Sequence, residues 1–367
     1  MSVLRRTVLT SLLAATALPA PAGSVRQGRT LVFPRDHGAH LDARIEWWYA
    51  TGWVGEATAP RLGFQVTFFR TRTEVPVLAE GRFVAPQMLF AHAAITDLNQ
   101  RRHHHAQRLL RWNGQADAAP GAASSTDGRV HIGRWRLWRE GSASEAGATW
   151  QARIDGEIDL QLTMQRSQPV LLQGDAGFSR KGPDPENASH YYSEPQLITE
   201  AQWRTGSQRM QARGRGWLDQ EWSDSLMHAD AVGWDWIGIN LFDGSALTAF
   251  RLRRQDGHPA GPSLWGGGSY RAAGGPARAL ADGEVVFTPE RWWQSANSGA
   301  RYPLQCRVDT PAGRFVVRSL LDAQELDNRA STGLLYWEGL SELLDERGRR
   351  VGLGYLELTG YGQRLRL

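Results

Sequence analysis

Alternation of apolar and polar residues with a period of two runs through most of this chain, and it predicts strands. Over residues 62–69, Leu62, Phe64, Val66 and Phe68 fall on one side and Gly63, Gln65 and Thr67 on the other, as in a half-buried antiparallel strand. Residues 154–162 set Ile154, Ile158, Leu160 and Leu162 against Asp155, Glu157, Asp159 and Gln161. Residues 44–53 place Glu46 and Trp48 on one face and Ile45, Trp47 and Tyr49 on the other. In the second half, strand patterns recur at 203–218, 234–242, 247–252, 284–287, 302–308, 315–321, 334–339 and 352–361, and only 322–329 and 341–347 read as short helical turns. The Gly/Pro/Asp-rich segment 172–195 is too long for a hairpin loop, so it reads as a domain connection, a lid or a site loop. Two halves of short strands predict an all-β protein of two antiparallel barrels or sandwiches, over 30–195 and 200–367.

Composition leaves this picture standing. With 41% hydrophobic and 22% charged residues, the 367-residue chain is an ordinary globular protein with enough apolar mass for a sizeable core. Its net charge of +4 is scattered rather than blocked, so no nucleic-acid partner is implied. Residues 1–22 read as a signal peptide: Arg5 and Arg6, an apolar run over 8–18, then Ala20-Pro21-Ala22 as a small-x-small cleavage site. The mature protein is therefore expected to be periplasmic or exported, with twin-arginine and ordinary export both open. No later segment approaches the ~20 apolar residues of a membrane span. Cys306, the single cysteine, permits no internal disulfide and reads as a buried small hydrophobe. His92 reads as a satisfied core histidine. His103-His104-His105 lacks acids or cysteines at ligand spacing and reads as a solvated hairpin turn, so no metal is expected.

Candidate chemistry concentrates in residues 216–244, where Trp217, Trp222, Trp234 and Trp236 interleave with Asp219, Glu221, Asp224, Asp230 and Asp235. Acids among large aromatics are either ion-pair partners for the chain's many arginines or a proton-handling site walled by π-faces. Asp219 and Glu221 share a strand face with Trp217, and two acids crowded in a dry site cannot both ionise cheaply, so one pKa should rise. Asp235 shares a face with Ile237, Ile239 and Leu241, which would raise its pKa too unless an arginine reaches it. The pairs Tyr336/Glu338 and Tyr355/Glu357 repeat the pattern. A phosphate loop, a nucleotide-binding glycine fingerprint, His-Glu-x-x-His and a Gly-x-Ser-x-Gly elbow are all absent.

The segments Arg44-Ile45-Glu46-Trp47-Trp48-Tyr49, His190-Tyr191-Tyr192-Ser193-Glu194-Pro195, Gly216-Trp217-Leu218-Asp219-Gln220-Glu221-Trp222, Gly233-Trp234-Asp235-Trp236, Tyr336-Trp337-Glu338-Gly339 and 354–361 together resemble the carotenoid 1,2-hydratase and AttH-type lipocalin-like superfamily. The resemblance implies two tandem lipocalin-like β-barrels with few short helices and a hydrophobic pocket. In its hydratase branch it also implies addition of water to a terminal isoprenoid double bond with no cofactor. Carried onto this chain, it nominates Asp219, His228 and Asp235 as catalytic. Glu46, Trp48, His190, Tyr191, Trp217, Trp234, Trp236, Tyr336 and Glu338 become the ligand-binding set. Asp235 or Asp219 would protonate the alkene, Trp234 and Trp236 would face the resulting cation, and His228 would orient water. The expected signal peptide directs the protein away from pigment synthesis, and relatives occur beside export systems. The leading expectation is therefore an exported protein holding a lipid or isoprenoid in a barrel, with ABC transporter components as possible partners. A hydratase is the alternative, and a purely structural partner of an exporter is a third reading.

Overall fold

A computed structural model describes residues 24–73, 85–116, 118–141, 147–225, 227–254 and 263–365. The expected signal peptide over 1–22 lies outside the described residues. Among those described, the only helical piece is the three-residue 3-10 turn Arg35–His37, and the strands pair antiparallel throughout, joined by turns and loops.

The strands form two sheets. The first runs, neighbour by neighbour, through Arg102–Trp112, Gln87–Asp97, Pro60–Arg72, Ile45–Gly55, Gln208–Ser225, Ala188–Thr205, Leu160–Gln165, Thr149–Ile154, Trp135–Glu140, Arg129–Ile132 and Gly121–Ala123. Its two ends come together, so it is nearly closed into a barrel. The second runs through Ala277–Leu280, Ser263–Arg271, Ala246–Arg254, Ala231–Leu241, Arg350–Thr359, Leu334–Leu344, Gly313–Ser319, Arg301–Thr310 and Val286–Gln294. Successive side chains on a strand point to opposite faces, so each central strand serves two cores at once. On Ile45–Gly55, Trp48, Ala50 and Val54 pack inside the first sheet with Phe64, Phe68 and Trp222. Tyr49 and Trp53 point the other way, into a third apolar cluster with Trp217, Trp236, Phe250 and Tyr355. The second sheet encloses Ile237, Ile239, Leu304, Val308 and Trp337, with Cys306 buried beside them.

Several sequence expectations change. The changeover between sheets falls between Ser225 and Ala231 rather than near 195–200, because Ala188–Thr205 and Gln208–Ser225 form one long hairpin inside the first sheet. Segment 172–195 is no domain connection: Leu171–Leu172 and Phe178–Arg180 fold back onto Ala188–Thr205. The expected helical turn at 322–329 contains the strand Glu325–Asn328, and that at 341–347 is the end of Leu334–Leu344 and the turn after it. Leu340, Leu343 and Leu344 mimic helical spacing only because both faces of that strand are buried. His103, His104 and His105 lie on the strand Arg102–Trp112 rather than in a turn. His92 is buried, with its ring nitrogens 2.9 Å from Tyr336 Oη and 3.1 Å from Ser331 Oγ.

Polar bonds fix one sheet against the other. Asn240 accepts from the Gln196 backbone N–H at 2.7 Å and donates to the Gly216 carbonyl at 3.0 Å, and Gln196 in turn donates to the carbonyls of Leu241 and Ser245. Asn240→Ala is expected to cost on the order of 1–3 kcal/mol, since it strands a buried N–H and a buried C=O without access to water. Chemical denaturation checks this, and an unchanged midpoint would contradict it.

Candidate functional site

The two sheets do not close completely upon each other. A cavity of about 270 Å³ lies between them, walled by Trp47, Phe69, Phe90, Trp234, Trp236 and Phe250, with Tyr49, Tyr191 and Tyr336 among the apolar rings. Strand parity explains the lining. Trp47 and Tyr49 from Ile45–Gly55, Asp219 and Glu221 from Gln208–Ser225, Trp234 and Trp236 from Ala231–Leu241, and Tyr336 and Glu338 from Leu334–Leu344 are all alternate positions facing away from their own barrel cores. Gly238 belongs to the same arrangement: any side chain there would occupy the space of the Trp236 indole.

Four carboxylates reach this cavity. Asp219 accepts hydrogen bonds from Tyr191 Oη at 2.8 Å, Ser193 Oγ at 2.5 Å and Trp217 Nε1 at 2.7 Å. Burial nonetheless pushes its pKa up to about 7, against those three donors and with a smaller push from Glu221. The carboxyl is thus oriented by donors yet poised to gain or lose a proton near neutrality. Glu221 is held differently, with Lys181 Nζ at 3.0 Å and the Ser189 hydroxyl donating to it. Glu338 and Glu357 stand directly opposite each other on paired strands. Burial raises both: Glu357 to about 7, partly offset by the Trp234 indole, and Glu338 well above the carboxylate range, with Glu357 adding to the effect. The Tyr49 hydroxyl lies near enough to Glu338 to bias its titration, yet neither Tyr49 Oη nor Glu338 Oε1 completes a hydrogen bond. Tyr191→Phe should move the Asp219 midpoint upward from about 7, since it deletes a donor to the ionised form; carbon-detected NMR titration reads this, and a fall would contradict the assignment.

Of the sequence-predicted residues, Asp219, Tyr191, Trp234, Trp236, Tyr336 and Glu338 are brought together on this cavity. Trp217 stands behind it, donating to Asp219 and packed edge-on against Trp236. The others do not reach it. Asp235 points into the second sheet, where Arg251 Nε at 2.7 Å, Arg253 Nε at 3.0 Å and Tyr361 Oη at 3.0 Å enclose it. His228 lies half-buried in the turn before Ala231, 3.3 Å from the exposed Asp184. Glu46 and Trp48 face the interior of the first sheet. There Glu46 bonds His40 Nδ1 at 2.7 Å and Arg70 Nε at 3.1 Å, and Trp48 donates to the His37 carbonyl. His190 faces the same way, accepting from the Arg26 backbone N–H at 3.2 Å. Trp47, Tyr49, Lys181 and Phe250 are lining residues that sequence reasoning did not nominate, while Glu221 and Glu357 were read among the candidate acids but left out of the catalytic and ligand-binding sets. For Glu357 a signal existed, its shared parity with Tyr355. For Lys181, carried in by the loop after Phe178–Arg180, there was none. Among the described residues no group of three or more His, Cys, Asp or Glu side chains is arranged to hold a metal ion.

The model of the AttH-like family matches residues 24–361. The crystal structure of an AttH protein from Nitrosomonas europaea is 40% identical and superimposes with a TM-score of 0.81, covering 92% of this chain and 98% of that one. Kievitone hydratase from Nectria haematococca has the same fold at 15% identity, with a TM-score of 0.65 and 95% of each chain covered. CghA in complex with Sch210972 is a more distant fold neighbour, with 12% identity, a TM-score of 0.52 and coverage of 88% of this chain and 90% of that one. No curated protein matches the chain.

Proposed function

The chain belongs to the AttH-like family, and on that premise we propose that it binds a predominantly hydrophobic small molecule, a lipid or an isoprenoid, in the cavity between its two sheets. The observation that carries this reading is a preformed, aromatic-walled cavity with a few convergent polar groups, the usual build of a small-molecule site. Its place between the sheets, rather than inside a barrel, gives both halves of the chain a share in recognition. About 270 Å³ is at the small end for such sites, so the ligand is short or inserts one end. Native mass spectrometry of protein purified from its host is expected to show a co-purifying hydrophobic ligand. A clean apo mass together with no uptake of fluorescent lipids would remove this reading.

A second reading, acid-catalysed hydration of a terminal isoprenoid C=C, is favoured by one specific observation: Asp219 is a cavity acid whose orientation is fixed by three donors, Tyr191, Ser193 and Trp217, while burial holds it near neutrality. In its protonated form Asp219 would give its proton to the alkene, and the faces of Trp234 and Trp236 would stabilise the tertiary cation. Water would then attack the cation, and the Asp219 carboxylate would take back the proton that the added water releases, restoring the starting state. Incubation of neurosporene or lycopene in ¹⁸O-labelled water tests this; folded protein that incorporates no label excludes it. Export across the inner membrane, supported by Arg5-Arg6 and the apolar run that follows, and association with an ABC-type exporter belong to the same proposal. Cell fractionation showing the protein retained in the cytoplasm would count against both.

A further inference from the structure

Charge in the cavity is unbalanced. Asp219, Glu221, Glu338 and Glu357 line it, against two bases, Lys181 and Arg70. Arg70 is engaged on the far side of its strand by Glu46, Gln87 and two backbone carbonyls. Lys181 is engaged by Glu221, and its ammonium lies 4.2 Å from the Phe250 ring centroid and 4.8 Å from that of Tyr191. The protein thus already keeps one ammonium in this cavity, between a carboxylate and two aromatic faces. At the opposite wall the same ingredients recur without a cation. Glu338 faces Glu357 across the strand pair, its Oε1 is buried and unpartnered, and Tyr49 and Tyr336 stand beside it.

We propose that the Glu338–Glu357 wall, together with the facing aromatic rings, receives a positively charged nitrogen of the ligand, so that the cavity takes an amphiphilic amine or quaternary ammonium compound in preference to a neutral hydrocarbon. This rests on the reading of the cavity as a ligand site and specifies the class of ligand. An ammonium there would supply the charge partner that the pair lacks, while its alkyl groups contact the indole and phenol faces, a pairing that strengthens as water is excluded. On binding, Glu338, which burial keeps protonated, would release its proton to solvent, so that the ligand cation takes the proton's place and the cavity's net charge is unchanged.

Isothermal titration calorimetry of the full chain at pH 8 with benzyltrimethylammonium and with neopentylbenzene, its uncharged carbon isostere, tests the inference. The ammonium compound is expected to bind about tenfold or more tightly. In the double variant Glu338→Gln, Glu357→Gln the preference is expected to vanish while the isostere binds as before. Equal affinity of the two compounds for the wild-type protein overturns the inference and leaves the hydrophobic cavity reading standing. Binding of neither overturns it as well, and lipid uptake by the same sample then decides the broader reading separately. Should the double variant fail to fold, the single variant Glu338→Gln makes the same comparison, and an undiminished ammonium preference in it overturns the inference.

Discussion

Asp235→Asn is expected to destabilise the protein by on the order of 3–5 kcal/mol, a fall of several degrees in melting temperature, and to leave ligand uptake unchanged. Asp235 is completely buried and takes Arg251 on one oxygen and Arg253 on the other, with the Tyr361 hydroxyl bonding both. Each guanidinium is itself buried and bound to backbone, Arg251 to the Phe287 carbonyl and Arg253 to that of Thr359, so neither can turn to water when the carboxylate goes. The amide keeps the shape but removes the carboxylate charge that both guanidiniums bond, and an uncompensated buried charge is among the costliest single changes a fold can suffer. Tyr361, whose ring centroid lies 3.7 Å from the Arg253 guanidinium, would also lose one of its two acceptor oxygens. Retained melting temperature with lost ligand uptake would reverse this assignment and return Asp235 to the site.

The same residue shows what the sequence makes legible. Period-two alternation identifies which side chains travel together, and on that count Trp234 with Trp236, Asp219 with Glu221, and Tyr336 with Glu338 were readable as groups. Which group faces a cavity is a different matter, because the central strands of both sheets are buried on both faces and hydropathy no longer marks an outside. Glu46 and Trp48 were as plausible as Trp47 and Tyr49, and the contact between the sheets alone decides for the latter. Asp235 was chosen with its neighbours Trp234 and Trp236 although a one-residue step reverses its direction; its apolar companions Ile237 and Ile239 were the sign that it points into the second core. The all-β class and the family fold followed from local pattern and short motifs. The sheet changeover did not, since 18-residue strands such as Ala188–Thr205 and Gln208–Ser225 read as two domains' worth of local signal until their mutual pairing is known.

Asp219→Asn is expected to fold, to retain ligand uptake and to alter the pH dependence of stability in a defined direction. Trp217 Nε1 and Ser193 Oγ can still donate to the amide oxygen, and the Tyr191 hydroxyl, which already accepts from Trp236 Nε1 at 3.2 Å, can turn to accept from the new N–H. In the wild-type protein burial holds the Asp219 pKa at about 7 rather than 3.8. Between those values the unfolded chain has lost this proton while the folded chain keeps it, so the contribution of Asp219 to stability is fully present below pH 4, declines as pH rises and is gone above about 7. The variant lacks this loss, so its stability relative to wild type should improve by on the order of a few kcal/mol between pH 4 and pH 7 and level off above. Glu357 reinforces the trend, because the negative charge of Asp219 is one of the influences raising it, and removing that charge eases its ionisation. Parallel pH-stability curves for the two proteins would show that Asp219 titrates in its ordinary range and would withdraw it as a proton donor. Where the curves diverge as expected, turnover separates the two functional readings: a binding protein loses nothing, whereas a hydratase that draws its proton from Asp219 loses roughly 10²–10⁴-fold in rate with the hydrocarbon still bound.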